Sequence, residues 1–143
     1  MTTVLGARVA LIGWVLLAAW GRALSAQQPA RPGAALDSIT PAQKALGDSV
    51  FHGKAAGGTC AVCHGQDAKG TPGLAPDLTH GKWLHGDGSY AFIVRIVEKG
   101  VANPKEAAAP MPPMGGATLT PEQLLAVAAY VYSLSRAKTG RGS

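Results

Sequence analysis

Residues 60–64 read Cys60-Ala61-Val62-Cys63-His64, and this pentapeptide is the most informative stretch of the 143-residue chain. Two cysteines separated by two residues, with a histidine directly after them, form the attachment sequence of a c-type haem. Each thiol can add to one vinyl group of the porphyrin, and the adjacent imidazole can bind the iron. The alternative is a redox dithiol or half of a zinc site, but zinc needs further ligands and the chain has no other cysteine. The sequence therefore predicts one covalent haem c.

The N-terminal residues 1–26 have the features of a secretory signal. Arg8 precedes an apolar stretch at residues 9–20, and residues 23–26 include small side chains that suit cleavage. The alternative is an uncleaved membrane anchor, although a helix of that apolar stretch would span about 18 Å against a hydrocarbon core of about 30 Å. We expect export to the periplasm, with membrane attachment only if the segment remains uncleaved.

The rest of the chain divides into three parts by composition. Residues 27–38 are rich in Ala, Pro, Gln and Arg without a helical or strand period, so we expect a flexible leader there. Residues 39–136 are the predicted folded domain, and residues 137–143 are a basic tail. A domain of about 100 residues has a thin hydrophobic core, so the haem and the fold should depend on each other.

The charge of the chain argues against a nucleic-acid partner. It carries 13 Lys and Arg against 8 Asp and Glu, a net charge of +5. Removal of residues 1–26 would remove Arg8 and Arg22 and lower the net charge to +3. The remaining basic residues are scattered, whereas a nucleic-acid-binding surface has a basic stripe.

Three capping sequences predict three main helices. Thr40 and Thr120 each precede a proline and, three residues on, a glutamine, which is the pattern of an N-cap with a capping-box partner. Ser89 begins a third amphipathic stretch, which Gly100 ends. No segment alternates at period two. We therefore predict an all-α fold with three main helices packed around one covalently bound haem.

Residues 101–119 lack a helical period, which is unusual for a segment of this length in a compact domain. Met111 lies between two prolines, which stiffen the backbone on both sides and present the thioether at small entropic cost. Met114 is followed by two glycines and is held less firmly. Met111 is the predicted second iron ligand. Met114, a histidine or an open position are the alternatives.

With these features, the chain resembles the bacterial class I monohaem cytochromes c, and the resemblance covers about residues 41–136. It implies a small cytochrome c fold with Cys60 and Cys63 as the thioether sites. It also implies His64 as the proximal iron ligand and Met111 as the distal one.

The resemblance assigns a role to Pro76, which lies twelve residues after His64 in a sequence similar to the family's Gly-Pro-Asn-Leu turn. In the family, the carbonyl of this proline accepts the second ring proton of the ligand histidine and so fixes its tautomer. Ala75 stands where the family usually has glycine, which leaves the local turn geometry open.

The resemblance also implies a close crossing of the first and last helices. Gly47 would let the two backbones approach, and Phe51 and Tyr130 would fill the space beside it. The chain departs from the family at residues 52–59, which separate Phe51 from the haem cysteines by more than the usual single turn. We expect this insertion to form a short surface excursion.

Four further residues are weaker candidates. Trp83 either packs against the porphyrin, with its indole N–H donated to a propionate, or belongs to the ordinary core. His52, His80 and His85 are each isolated in the sequence, and such histidines are more often solvated than bound to metal.

An iron with both axial positions filled by protein side chains exchanges only an electron, because no position is open to a substrate. The sequence thus predicts a monomeric single-electron carrier between membrane or periplasmic redox partners, which dock at the haem edge, and not an enzyme. One alternative is an electron-delivering haem subunit of an oxidoreductase complex. The other is a haem enzyme or gas sensor with an open distal site.

Overall fold

The computed structural model describes residues 39–137. Its helices follow in the order α1 (Pro41–Phe51), α2 (Cys60–His64), α3 (Tyr90–Lys99) and α4 (Pro121–Ala137). In the described part of the chain there are isolated β-bridges but no strands. The all-α prediction is confirmed, and the short α2 is an addition to the three predicted helices.

The predicted signal (residues 1–26) and leader (residues 27–38) lie outside the described residues, as do residues 138–143 of the predicted tail. Ala137 is the last residue of α4, so the helix continues one residue into that tail. Between residues 39 and 137, none of the helices combines the length and the hydropathy of a membrane span.

The three long helices begin where the capping sequences predict. Thr40 and Ser89 each accept a hydrogen bond from the backbone N–H three residues on, at 3.1 and 3.2 Å. Thr120 and Gln123 form the full reciprocal pair, with N–H···O distances of 3.2 and 2.9 Å. Each such cap contributes about 1 kcal/mol, which is why a local sequence pattern sets these boundaries.

Helices α1 and α4 cross in close contact at Gly47. A Cβ on Gly47 would lie 2.0 Å from the Ala126 carbonyl oxygen and 2.8 Å from the Tyr130 Cβ. Beside this contact, the rings of Phe51 and Tyr130 pack with their centroids 5.4 Å apart. The crossing implied by the resemblance is confirmed, and the insertion after Phe51 does not displace it.

Tyr90 connects α3 to the other two long helices. Its hydroxyl donates to the Leu125 carbonyl at 2.9 Å and accepts a hydrogen bond from the Gln43 side chain at 3.2 Å. Below it, the apolar faces of α3 and α4 are buried in one core, which includes Ile93, Val97, Val127 and Val131. The three long helices thus share one hydrophobic core.

We expect Gly47→Ala to lower the free energy of unfolding of the protein by about 3 kcal/mol. The added methyl overlaps backbone atoms of α4, which cannot move without separating the helices. Helix propensity alone would instead favour alanine by about 1 kcal/mol. The two effects have opposite signs, so a denaturant titration distinguishes them.

The matched control is Ala45→Gly, at an exposed position of the same helix. It should cost only the propensity difference of about 1 kcal/mol. A Gly47→Ala protein as stable as the parent would show that α1 and α4 do not approach as closely as described.

Candidate functional site

All six site residues predicted from the sequence line one apolar cleft. Its wall includes Cys60, Cys63, His64, Pro76, Trp83 and Met111. Much of the remaining wall consists of hydrophobic side chains from the helices, among them Phe51, Phe92, Ile93, Ile96, Val97, Val127 and Val131. Two thiols, an imidazole and a thioether from separate parts of the chain therefore meet in one largely apolar space.

The two thiols are carried by the single turn of α2. Cys60 and Cys63 are three residues apart on this helix, and residues at this spacing lie on the same side. Neither cysteine forms a disulfide. Burial raises the pKa of the Cys60 thiol, so this sulfur stays protonated at neutral pH.

The His64 imidazole has one ring nitrogen fixed and the other available. Its Nδ1 lies 3.0 Å from the Pro76 carbonyl oxygen. Because a carbonyl only accepts, Nδ1 carries the proton and Nε2 carries the lone pair that a metal requires. Burial lowers the pKa of His64, and the Pro76 carbonyl opposes this only in part. The ring is therefore neutral at neutral pH, which is the form that binds metal.

The turn around Pro76 is held from two sides. Gly70, at φ +80°, lies so close to it that a Cβ there would be 2.5 Å from the Ala75 carbonyl oxygen. The Asp77 carboxylate accepts the backbone N–H of Thr79 at 2.6 Å. Ala75 itself has no positive φ, so this position does not need the glycine that the family usually has. The turn at Pro76 therefore forms with alanine at position 75.

Met111 is fixed by pairing with Val101, two residues after the end of α3. Met111 and Val101 exchange two backbone N–H···O bonds of 2.9 and 3.0 Å. This approach requires Gly100, at φ +70°, because a Cβ there would lie 2.3 Å from the Met111 carbonyl oxygen. The sequence indicated Gly100 only as a helix end, and the pairing with Met111 was not predicted.

Met114 has a different environment. It does not line the cleft, and its side chain packs against the edge of the hydrophobic core. Its backbone has φ +54° in the turn Pro113–Gly116. The Thr59 hydroxyl donates to the Gly115 carbonyl and so connects this turn to the residue before Cys60. The sequence did not predict this hydrogen bond, because no local pattern links two residues so far apart in the chain.

Trp83 combines the two environments considered for it. It lines the cleft, and its ring meets Phe92 edge to face with the centroids 6.0 Å apart. Gly88 lies directly against the indole, where a Cβ would be 1.9 Å from Nε1. Core packing and contact with a ligand in the cleft are thus compatible.

The three other histidines differ from one another. His80 is exposed, and its Nδ1 accepts the backbone N–H of Lys82 at 3.0 Å. His85 lines the cleft, a position that the sequence did not indicate. His52 is not solvated as expected, because its side chain is only 15 % exposed and both ring nitrogens contact backbone carbonyls.

The donor groups of the cleft favour a tethered flat ligand over a simple metal ion. Among residues 39–137, no three His, Cys, Asp or Glu side chains are grouped so that they could hold a metal ion. The zinc alternative therefore has no support in this part of the chain. Two thiols on one helical turn, a neutral imidazole and an apolar wall fit a porphyrin, which is flat, apolar and able to form thioether bonds.

The chain matches known sequences over most of the described domain. Residues 42–131 match the family described as cytochrome c oxidase, cbb3-type, subunit III. The cbb3-type cytochrome c oxidase subunit CcoP of Rubrivivax gelatinosus is 42% identical over 98 residues, which cover 68% of this chain and 28% of the relative. The subunit FixP of Sinorhizobium medicae is 41% identical over 81 residues, covering 54% and 27%. The chain thus spans less than a third of the length of these relatives.

Among solved structures, cytochrome cL from Methylophaga aminisulfidivorans is similar with a TM-score of 0.48 and 22% sequence identity. The similarity covers 64% of this chain and 55% of that protein.

Proposed function

Because the chain belongs to the family of cytochrome c oxidase, cbb3-type, subunit III, we propose that it delivers electrons within an oxidase complex. Family membership makes the chain a class I c-type cytochrome, whose cofactor is covalently bound haem c. The observation that carries the proposal is the joint position of two thiols, an imidazole and a thioether in one apolar cleft.

We assign the residues of the cleft two different roles: two attach the porphyrin and two bind the iron. We assign Cys60 and Cys63 to the two thioether bonds, and the Nε2 of His64 to the iron on one side. Met111 is assigned to the other side because it lines the cleft, whereas Met114 does not. One haem per domain matches the single pair of cysteines in the chain. When bound, the group supplies an iron that cycles between two oxidation states.

The protein residues restrict that iron to electron transfer. With the His64 imidazole and the Met111 thioether both bound to it, the iron would have no position open to oxygen or another substrate. A thioether also favours the ferrous state and raises the reduction potential relative to stronger donors. The apolar wall excludes water, which acts in the same direction. An enzyme or gas sensor with an open site is therefore the less favoured alternative.

The relatives favour the subunit role over the free carrier that the sequence put first. Both relatives described above are named as subunits of a cbb3-type oxidase. The expectation of a monomer gains no support from them. We propose the other subunits of such a complex as the redox partners. The periplasm is the proposed location, where c-type haem is attached.

The test has two stages and uses the full chain in its native host. First, haem should remain with the purified chain after acid–acetone extraction, as a covalent group does. Second, a tagged chain solubilised from membranes in mild detergent should co-purify with cytochrome c oxidase activity. Haem attachment without co-purification would return the free carrier to first place. Complete extraction of the colour would overturn the proposal.

A further inference from the structure

His52 is held by acceptors on both sides of its ring. Its Nδ1 lies 2.9 Å from the Asp48 carbonyl oxygen and 3.1 Å from the Asp48 carboxylate, one turn back on α1. Its Nε2 lies 2.9 Å from the Gln66 carbonyl oxygen, which belongs to the loop after His64. The ring also contacts Phe51 and Tyr130 edge to face, with centroids 5.1 and 6.0 Å away.

This set of acceptors selects one protonation state. A neutral imidazole has one N–H donor, so its ring can donate to only one of the two carbonyls, whereas the imidazolium donates to both. The His52 side chain is 15 % exposed, and its contact with the Gln66 carbonyl lies at the surface. The carbonyls of Gln66 and Asp48 accordingly raise the pKa of His52, and partial burial opposes them.

The charged and titratable neighbours act in known directions. The Asp48 carboxylate stabilises the imidazolium, and Lys54 in the following loop opposes it. From α4, Tyr130 contributes a neutral ring, because burial and the nearby Asp48 raise the pKa of its hydroxyl to about 12. The net environment of His52 therefore favours the cation.

The Gln66 carbonyl belongs to the loop at residues 65–70. This loop connects His64 to Gly70, which contacts the turn at Pro76. This loop begins after His64, and the His64 carbonyl accepts the N–H of Gly70 at 2.8 Å. Gly70 in turn lies against Pro76, the acceptor for the His64 ring. A contact that holds Gln66 therefore holds a loop whose two ends support the imidazole.

We propose that the imidazolium of His52 is a positioning group that joins the end of α1 to the loop at residues 65–70, and that loss of its proton releases the Gln66 carbonyl. Of these effects, only the consequence for His64 as an iron ligand rests on the proposed function.

The primary test is an NMR titration of the reduced, haem-loaded full chain. We expect two ring N–H signals from His52 at low pH, one at high pH, and a pKa above the ordinary histidine value. The Nδ1–H signal of His64 should shift with the same midpoint, and this dependence should vanish in His52→Phe. That variant keeps a ring between Phe51 and Tyr130 but removes both donors.

Stability provides a second measurement with a defined sign. A pKa raised in the folded state stabilises the protein fully below the unfolded value of about 6.5, and this contribution is lost as pH rises through the folded pKa. The unfolding constant of His52→Phe is divided by that of the parent at each pH. This ratio should fall about tenfold between pH 5 and pH 9, which corresponds to the loss of about one charge-assisted hydrogen bond in the parent. His52→Gln keeps N–H donors without titrating, so its own stability should lack the parent's loss in this range.

The matched control is His80→Gln, which replaces an exposed histidine outside the His52 contacts and should leave the midpoint of the His52 ring N–H signals unchanged. His52 titrating at or below the ordinary value, or a His52→Phe ratio that is independent of pH, would overturn the proposal. The absorption spectrum of the same sample reports haem attachment separately. A haem-loaded chain with an ordinary His52 thus refutes this inference and leaves the proposed function intact.

Discussion

The double variant Cys60→Ser/Cys63→Ser is expected to carry no covalent haem when it is purified from a host that matures c-type cytochromes. Serine keeps the size of the side chain, but its hydroxyl does not form the thioether bonds that we assign to these two positions. The expected loss is complete. Acid–acetone extraction followed by mass measurement of the protein checks it directly.

The single variants Cys60→Ser and Cys63→Ser are the matched controls, because each keeps one thiol on the same helical turn. Where a single variant matures, its colour should resist extraction. Colour that stays with the double variant after extraction would contradict the assignment of both cysteines.

Replacement of Met111 by alanine is expected to abolish the weak sulfur-to-iron absorption band of the oxidised protein. It should also open the ferrous protein to carbon monoxide, because the iron then lacks its second protein ligand. The reduction potential should fall by on the order of 0.1 V, within the roughly 0.8 V over which axial ligands set haem potentials. Optical spectra and a redox titration measure these effects.

Met114→Ala is the control for this prediction. Its side chain packs at the edge of the core outside the cleft, so the band should persist and only stability should decrease. Loss of the band in Met114→Ala, with the band intact in Met111→Ala, would reverse the assignment of the distal ligand.

The helices were predictable because their signals are local. Thr40, Ser89 and Thr120 each act on a backbone N–H three residues away, and each marks a helix start in the structure. The close crossing at Gly47 has no local signal of this kind. Its prediction came from the resemblance, because a glycine in a helix does not by itself say which backbone approaches it.

The sequence indicated which residues line the candidate site, but it did not indicate the contacts that hold them in place. The CxxCH sequence and the prolines around Met111 indicated donors by type and spacing, and the structure places these donors in one cleft. The pairing of Met111 with Val101, and the contacts of His52, join residues that are distant in sequence. A single bridge has no period, and an isolated histidine carries no sign of its acceptors, so neither could be predicted.

The bridge between Val101 and Met111 bears on the speed of electron exchange. It ties the segment that carries Met111 to the C-terminal end of α3, which is packed in the hydrophobic core. Ligands that shift little between ferrous and ferric iron leave a small reorganisation barrier, as with other preorganised sites. Gly100 permits this close approach, so with Met111 as the proposed ligand a residue without a side chain would help to determine how easily the iron exchanges its electron.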